Sequence, residues 1–217
     1  MTIEKKYIQH VEKCFEDAIA GKSKISQDII DMEGMTGTKT RHLYNNLLSM
    51  DSVRYLEIGT WKGSSSCAAL FGNKVTATLI DNFSSFGSPR EEFFKNIEKY
   101  KGENDVTVLE EDCFNVDVDK IGQFNIYLAD GDHSEESHFR FINKYIPCLD
   151  DVFILIIDDW NWDNVRSGTK RGIETNNLNV IWEKVIRTTD NDNFPESQEL
   201  ASQTFWNGVC VFIIKKQ

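Results

Sequence analysis

Tyr55-Leu-Glu-Ile-Gly-Thr-Trp-Lys-Gly-Ser-Ser-Ser66 changes character twice within a dozen residues. It opens as a strand, because Val53, Tyr55, Leu56 and Ile58 are apolar and β-prone. The pattern breaks at Gly59, and Gly63 follows four residues later. Ser64, Ser65 and Ser66 then offer N-cap hydroxyls, and Cys67-Ala-Ala-Leu70 continues as a buried helix. A strand, a glycine turn and a helix N-terminus together bring backbone N–H groups close to a ligand. The spacing is E-x-G-x-x-x-G, which is neither the dinucleotide fingerprint nor the phosphate loop.

Outward from this segment, strands and helices alternate. Val75–Ile80, Val106–Leu109, Phe124–Ala129 and Phe153–Ile157 read as strands, each ending in an acid. Helices are predicted over 89–100, from Ser134 to about Ile146, and around 164–177, with Pro147 ending the second. Val180–Ile186 and Gly208–Ile214 lack a clear helical crossover and predict an antiparallel addition, with a polar loop at 188–203 between them. Before the first strand, apolar stripes predict helices over 3–20, 25–32 and 38–50, joined by a loop at 33–37 whose Gly34 and Gly37 suit an interhelical turn, the alternative being a mobile loop that closes over a ligand. The expected fold is α/β: a doubly wound, mostly parallel seven-stranded sheet. Residues 1–50 form an N-terminal helical cap, and 51–217 form the main domain.

Composition narrows the function. The 217 residues include 40% hydrophobic and 27% charged side chains, ordinary for a soluble globular chain. The net charge of −11 disfavours a nucleic-acid partner and an anionic membrane surface, both of which need a basic face. No signal peptide or membrane-length apolar run is visible. Five scattered cysteines without a CxxC pair suggest neither disulfides nor zinc, and a cytoplasmic compartment is expected.

Ligands bind beyond the carboxyl ends of an open parallel sheet. Glu57, Asp81, Asp112, Asp130 and the pair Asp158-Asp159 fall at those ends. Each alone reads as a cap or turn residue, but so many like charges at one edge call for cations or donors. Asp81 lies 24 residues after Glu57, where a ribose-binding acid is expected. Asp130-Gly-Asp-His-Ser134 is followed, 28 residues after Asp130, by Asp158-Asp159-Trp160. Carboxylates from two adjacent strand ends suit a hard cation such as Mg2+.

The glycine turn resembles the first motif of the class I S-adenosylmethionine (SAM)-dependent methyltransferases. The resemblance implies that Glu57, Gly59, Thr60, Gly63 and Ser64 hold the methionyl part of SAM. It also implies that Asp81 and Asn82 meet the ribose, and that Asp112 and Cys113 meet the adenine. The two acidic clusters are most similar to the metal-dependent macrocin-type sugar O-methyltransferases. There the metal ligands would be Asp130, Asp158 and Asp159, with Asp130 also bordering the cofactor and Asp132 as general base. The resemblance covers roughly residues 50–165.

His133 is an alternative base or ligand, set against a turn histidine bonded to the backbone. Trp160 and Trp162 wall a pocket or pack in the core. The expected acceptor is a small-molecule hydroxyl. The alternatives are a metal-independent methyltransferase, a SAM-binding protein without turnover, and a metal-dependent hydrolase or oxygenase. Self-association through the N-terminal helices is left open.

Overall fold

The computed structural model describes residues 1–87 and 89–217. Among these, seven strands form one sheet: β1 (Val53–Ile58), β2 (Val75–Ile80), β3 (Asp105–Leu109), β4 (Phe124–Ala129), β5 (Leu149–Asp158), β6 (Asn179–Ile186) and β7 (Val209–Lys215). Their order is β3-β2-β1-β4-β5-β7-β6. Strands β1 to β5 are parallel, while β7 runs antiparallel to both β5 and β6. The sheet is therefore mixed. The antiparallel strand lies between β5 and β6, where the chain returns from β6 without a helical crossover.

β4 is buried along its whole length and β5 over residues 152–158, which explains their unbroken apolar runs. On one face, Tyr55, Ile126, Leu128, Ile154 and Ile156 share a core with helices α1 (Ile3–Ile19), α3 (Thr38–Leu47), α4 (Ser64–Leu70) and α5 (Arg90–Tyr100). On the other, Leu56, Ile58, Tyr127, Leu155 and Ile157 pack with α6 (Glu135–Tyr145) and α7 (Asp163–Thr175). Both faces are covered, as a doubly wound sheet requires.

The helix expected over 25–32 is reduced to α2 (Gln27–Ile30). The Arg41 guanidinium takes the carbonyls of Ile29 and Ile30, at 2.6 and 2.9 Å, in place of further helical bonds. The loop at 33–37 is held on two sides. A Cβ on Gly34 would meet Ser64 Oγ at 2.1 Å, and one on Gly37 would meet the carbonyl oxygen of Thr204 at 2.2 Å. The segment at 188–203 contains one short helix, α8 (Gln198–Ser202), capped by Ser197. Among the described residues no helix is long and apolar enough to cross a membrane.

Candidate active site

The order in which strands are added reverses between the parallel neighbours β1 and β4, so the β1–α4 turn opens into a crevice at the carboxyl edge. Gly59 has φ +82°, and a Cβ there would fall 1.8 Å from the Asp130 carbonyl oxygen. Only glycine permits that approach of two backbones. Gly63, at φ +84°, is the N-cap of α4. The three serines are thus inside the first turn and do not cap it, contrary to the sequence reading. Ser64 Oγ lies 3.0 Å from Thr36 Oγ1, and Ser65 donates to Glu57.

Asp81 braces the turn. Its Oδ2 accepts from the N–H groups of Thr60 (2.8 Å) and Trp61 (2.9 Å), and its Oδ1 from that of Phe83 (2.7 Å). Asn82 Oδ1 accepts from the Ser84 backbone, and Asp112 Oδ1 from that of Phe114. The Phe114 ring stacks on Phe141 at 5.2 Å, with the Arg140 guanidinium 3.6 Å above it.

Of these residues Trp61, Asp81, Asn82, Ser84, Asp112, Phe114 and Phe141 line a cleft of about 610 Å3, together with Gly59, Thr60, Ser64, Cys113, Asp130, Asp132, His133 and Asp159. Gly63, Glu57 and Asp158 are not among its lining. Glu57 is fully buried beneath the turn, accepting from Tyr55 (3.1 Å) and Ser65 (2.5 Å). Burial pushes its carboxyl up to about 7, against those donors.

The acidic edge divides in two. Asp158 continues the alternation of Ile154 and Ile156 toward the α3 side, where Tyr44 lies. It is 2% exposed, and its Oδ1 accepts from the Asp159 N–H at 2.9 Å. Burial, then the neighbouring charges of Asp130 and Asp159, hold its carboxyl well above the usual range. Asp159 has φ +55°, and this left-handed step releases it from the strand alternation. It meets His133, whose Nε2 lies 2.7 Å from Asp159 Oδ2 and 4.0 Å from Asp130 Oδ1. The donor atoms of Asp130, His133 and Asp159 all fall within 4.8 Å of one another. The set expected from the sequence was Asp130, Asp158 and Asp159; the structure groups His133 with the first and third. Burial lowers the His133 pKa, but the two carboxylates outweigh it and raise the group to about 10. The ring also meets Trp162 edge-on at 4.7 Å.

Asp132 lines the cleft but is exposed, and its Oδ1 accepts from the Ser134 N–H at 3.1 Å. Bonds from Ser134 and then Ser137 lower its pKa. Trp160 is a core residue, against Phe212 at 5.5 Å, while Trp162 lines the cleft. His10 and His42 are far from it in role: His10 Nε2 pairs with the Leu47 carbonyl, and His42 Nδ1 with Ser23.

Met35 and Thr36 line the cleft from the loop at 33–37, which the sequence favoured as a plain interhelical turn over a ligand-covering loop, and sequence reasoning missed Phe194, Gln198 and Trp206. The available signal was topological. An antiparallel β7 must begin at the edge where its parallel neighbours end, so residues just before it reach the cleft. Asn161 fixes that segment in place: its Nδ2 donates to Thr188 Oγ1 (2.8 Å) and Asn207 Oδ1 (3.1 Å). Arg166 adds a link, donating to the Trp160 carbonyl (3.1 Å) and Asp192 (2.6 Å).

No family model matches the chain, and no curated protein sequence matches it. Solved structures do. An O-methyltransferase from Bacillus cereus in complex with SAH is 14% identical with a TM-score of 0.56, over 95% of this chain and 91% of that one. TrmN from Thermus thermophilus gives 11% identity and a TM-score of 0.58, over 87% of this chain and 52% of that one. A ribosomal protein L11 methylase from Lactobacillus delbrueckii subsp. bulgaricus gives 15% and 0.54, over 83% and 78%. The chain spans about half the length of several structures it matches, with 50%, 52% and 48% of three of them covered. At these identities the likeness is one of architecture: the chain carries the seven-stranded α/β fold of SAM-dependent methyltransferases.

Proposed function

We propose that the chain is a SAM-dependent O-methyltransferase that acts on a small-molecule hydroxyl with the help of a divalent cation such as Mg2+. One observation carries this reading: a single cleft joins the glycine turn and Asp81 to the group of Asp130, His133 and Asp159. The first half suits a nucleoside with an amino-acid tail, and the second suits a cation beside an acceptor oxygen.

SAM would supply a methyl group made electrophilic by its sulfonium. The chain's part is to hold it: backbone groups at Gly59 and Thr60 flank the tail, the Asp81 carboxylate can accept from ribose hydroxyls, and Asp112, Cys113 and Phe114 border the base. Glu57, sealed below the turn, fits a structural support for Ser65 better than a direct ligand. For the cation, the donor set of two carboxylates and an imidazole fits a divalent ion. Bound there, it would lower the pKa of a neighbouring hydroxyl by Lewis-acid polarisation.

Asp132 is proposed to take the proton. It stands two residues from Asp130, exposed on the cleft wall, where its carboxylate can reach an acceptor oxygen. His133 competes for this role only when it has lost the proton that Asp130 and Asp159 hold on it. Trp162, Phe194 and Trp206 offer flat faces to an acceptor. The lining includes six carboxylates (Asp81, Glu111, Asp112, Asp130, Asp132, Asp159) and, among the described residues, no Lys or Arg. This supports an acceptor without phosphates. Residues 1–50 we read as a cap, since Met35 and Thr36 reach the cleft.

The test has two steps. Calorimetry should show SAH binding and no NAD binding. A panel of hydroxyl acceptors should then be screened for SAH release from SAM, with Mg2+ and with excess chelator. NAD binding in place of SAH would overturn the methyltransferase reading. Full turnover in chelator would remove the cation from it.

A further inference from the structure

We infer that His133, not Asp158, completes the cation site with Asp130 and Asp159, and that this set selects a first-row transition metal over Mg2+. The inference rests on the metal-assisted reading above and goes on to name the third ligand and the class of ion. Three observations separate the two candidates. First, His133 lines the cleft and Asp158 does not. Second, Asp158 is 2% exposed, with one oxygen already bonded to the Asp159 N–H, whereas the His133 side chain is 32% exposed. Third, the left-handed conformation of Asp159 sends its carboxylate toward the imidazole, with 2.7 Å between Oδ2 and Nε2. Adjacent ligands on an octahedral ion at about 2.1 Å sit about 3 Å apart, so this pair already has the required separation. The Asp130 carboxylate lies 4.0 Å from the imidazole, and the donor atoms of all three residues fall within 4.8 Å of one another.

Ligation replaces the Nε2 proton with the ion. That proton leaves to solvent, and the neutral imidazole then donates its lone pair. The consequence is chemical. Mg2+ prefers an all-oxygen shell, and imidazole nitrogen shifts preference toward first-row transition ions. An all-carboxylate set built with Asp158 would lack that preference.

Mn2+ is the probe, read by EPR in the full-length protein, with Mg2+ as competitor. The native protein should bind Mn2+ about 10-fold or more tighter than Mg2+, with a nitrogen coupling in the pulsed-EPR spectrum. His133→Gln should lose the coupling and about 10-fold or more in Mn2+ affinity. Asp158→Asn should keep both, with affinity within about 3-fold. A native spectrum without nitrogen coupling would overturn the inference, as would an Asp158→Asn variant that loses Mn2+ while His133→Gln retains it. Either result leaves the metal-assisted reading intact. Absence of saturable Mn2+ binding to native protein that binds SAH would overturn both. If Asp158→Asn fails to fold, judged by its melting curve, the nitrogen coupling of the native protein decides alone.

Discussion

Gly59 and Asp130 are packed so that the Cα of one lies against the backbone carbonyl of the other, leaving 1.8 Å for any Cβ. This contact joins the turn after β1 to the end of β4, and so joins the two halves of the cleft. Gly59→Ala adds a methyl at φ +82° against backbone that cannot rotate away. The conformation alone costs about 1–2 kcal/mol in an L-residue. We expect a total loss above about 2 kcal/mol in urea unfolding, together with loss of SAH binding. A Gly59→Ala variant with native stability would show that the two backbones are not in contact.

Asp81 carries a second, separable role. Three backbone N–H groups end on its carboxylate, from Thr60, Trp61 and Phe83. Hydrogen bonds to a charged group contribute about 1.5–3 kcal/mol, and unpaired donors cost similar amounts. Asp81→Ala should therefore destabilise by about 2–3 kcal/mol and weaken SAH in calorimetry by about 10-fold or more. Asp81→Asn keeps one acceptor oxygen and should recover part of the stability. Native SAH affinity in the Asp81→Ala variant would remove Asp81 from the cofactor site.

Much of the sheet was legible because its apolar runs are short and sharply bounded. Val53–Ile58, Val75–Ile80 and Phe124–Ala129 each end at a Gly or Asp, and the structure keeps those bounds. The antiparallel last strand was legible from the missing crossover. What failed was side-chain direction. Ser64–Ser66 look like caps, but Gly63 in a left-handed conformation already occupies that position. Asp158 and Asp159 look equivalent in a sequence, yet Asp158 ends β5 and is buried, while Asp159, left-handed just past the strand, lines the cleft. Phe194 and Trp206 were hidden by distance along the chain, since only the folded β7 brings them to the cleft.

His138 gives a prediction outside the cleft. It is 1% exposed between α6 and α7, and neither ring nitrogen has a hydrogen-bond partner. Burial lowers its pKa to about 3. In the unfolded chain it titrates near 6.5. The unfolded state therefore binds the proton first, and stability is lost as pH falls from about 6.5 toward 3. Above that window there is no such loss. His138→Leu removes this dependence, so the variant should gain on the native protein steadily between about pH 6 and about pH 4. Denaturation midpoints at several pH values check it; parallel curves would mean that the native ring is hydrated and paired.

Glu57 should show the opposite slope. Its carboxyl is fully buried and raised to about 7, while the unfolded value is near 4.5. Between these values the folded state holds a proton that the unfolded state has released, so stability falls as pH rises from about 4.5 to about 7 and is level above. The full effect is roughly 3 kcal/mol for a shift of this size. Asp130 and Asp158 are also raised and add a slope of the same sign, so the native curve alone cannot isolate Glu57. Glu57→Gln does. Its amide oxygen can still accept from Ser65 or Tyr55, and it never ionises. The variant should therefore be least favoured relative to native protein near about pH 5 and most favoured near about pH 8. The stability difference between the two proteins should change by roughly 3 kcal/mol across that range. Urea unfolding at intervals of about one pH unit across that range measures it directly. A difference that stays constant would place the Glu57 pKa in the ordinary carboxylate range, and a solvated or cation-paired Glu57 would then replace the buried neutral acid described here.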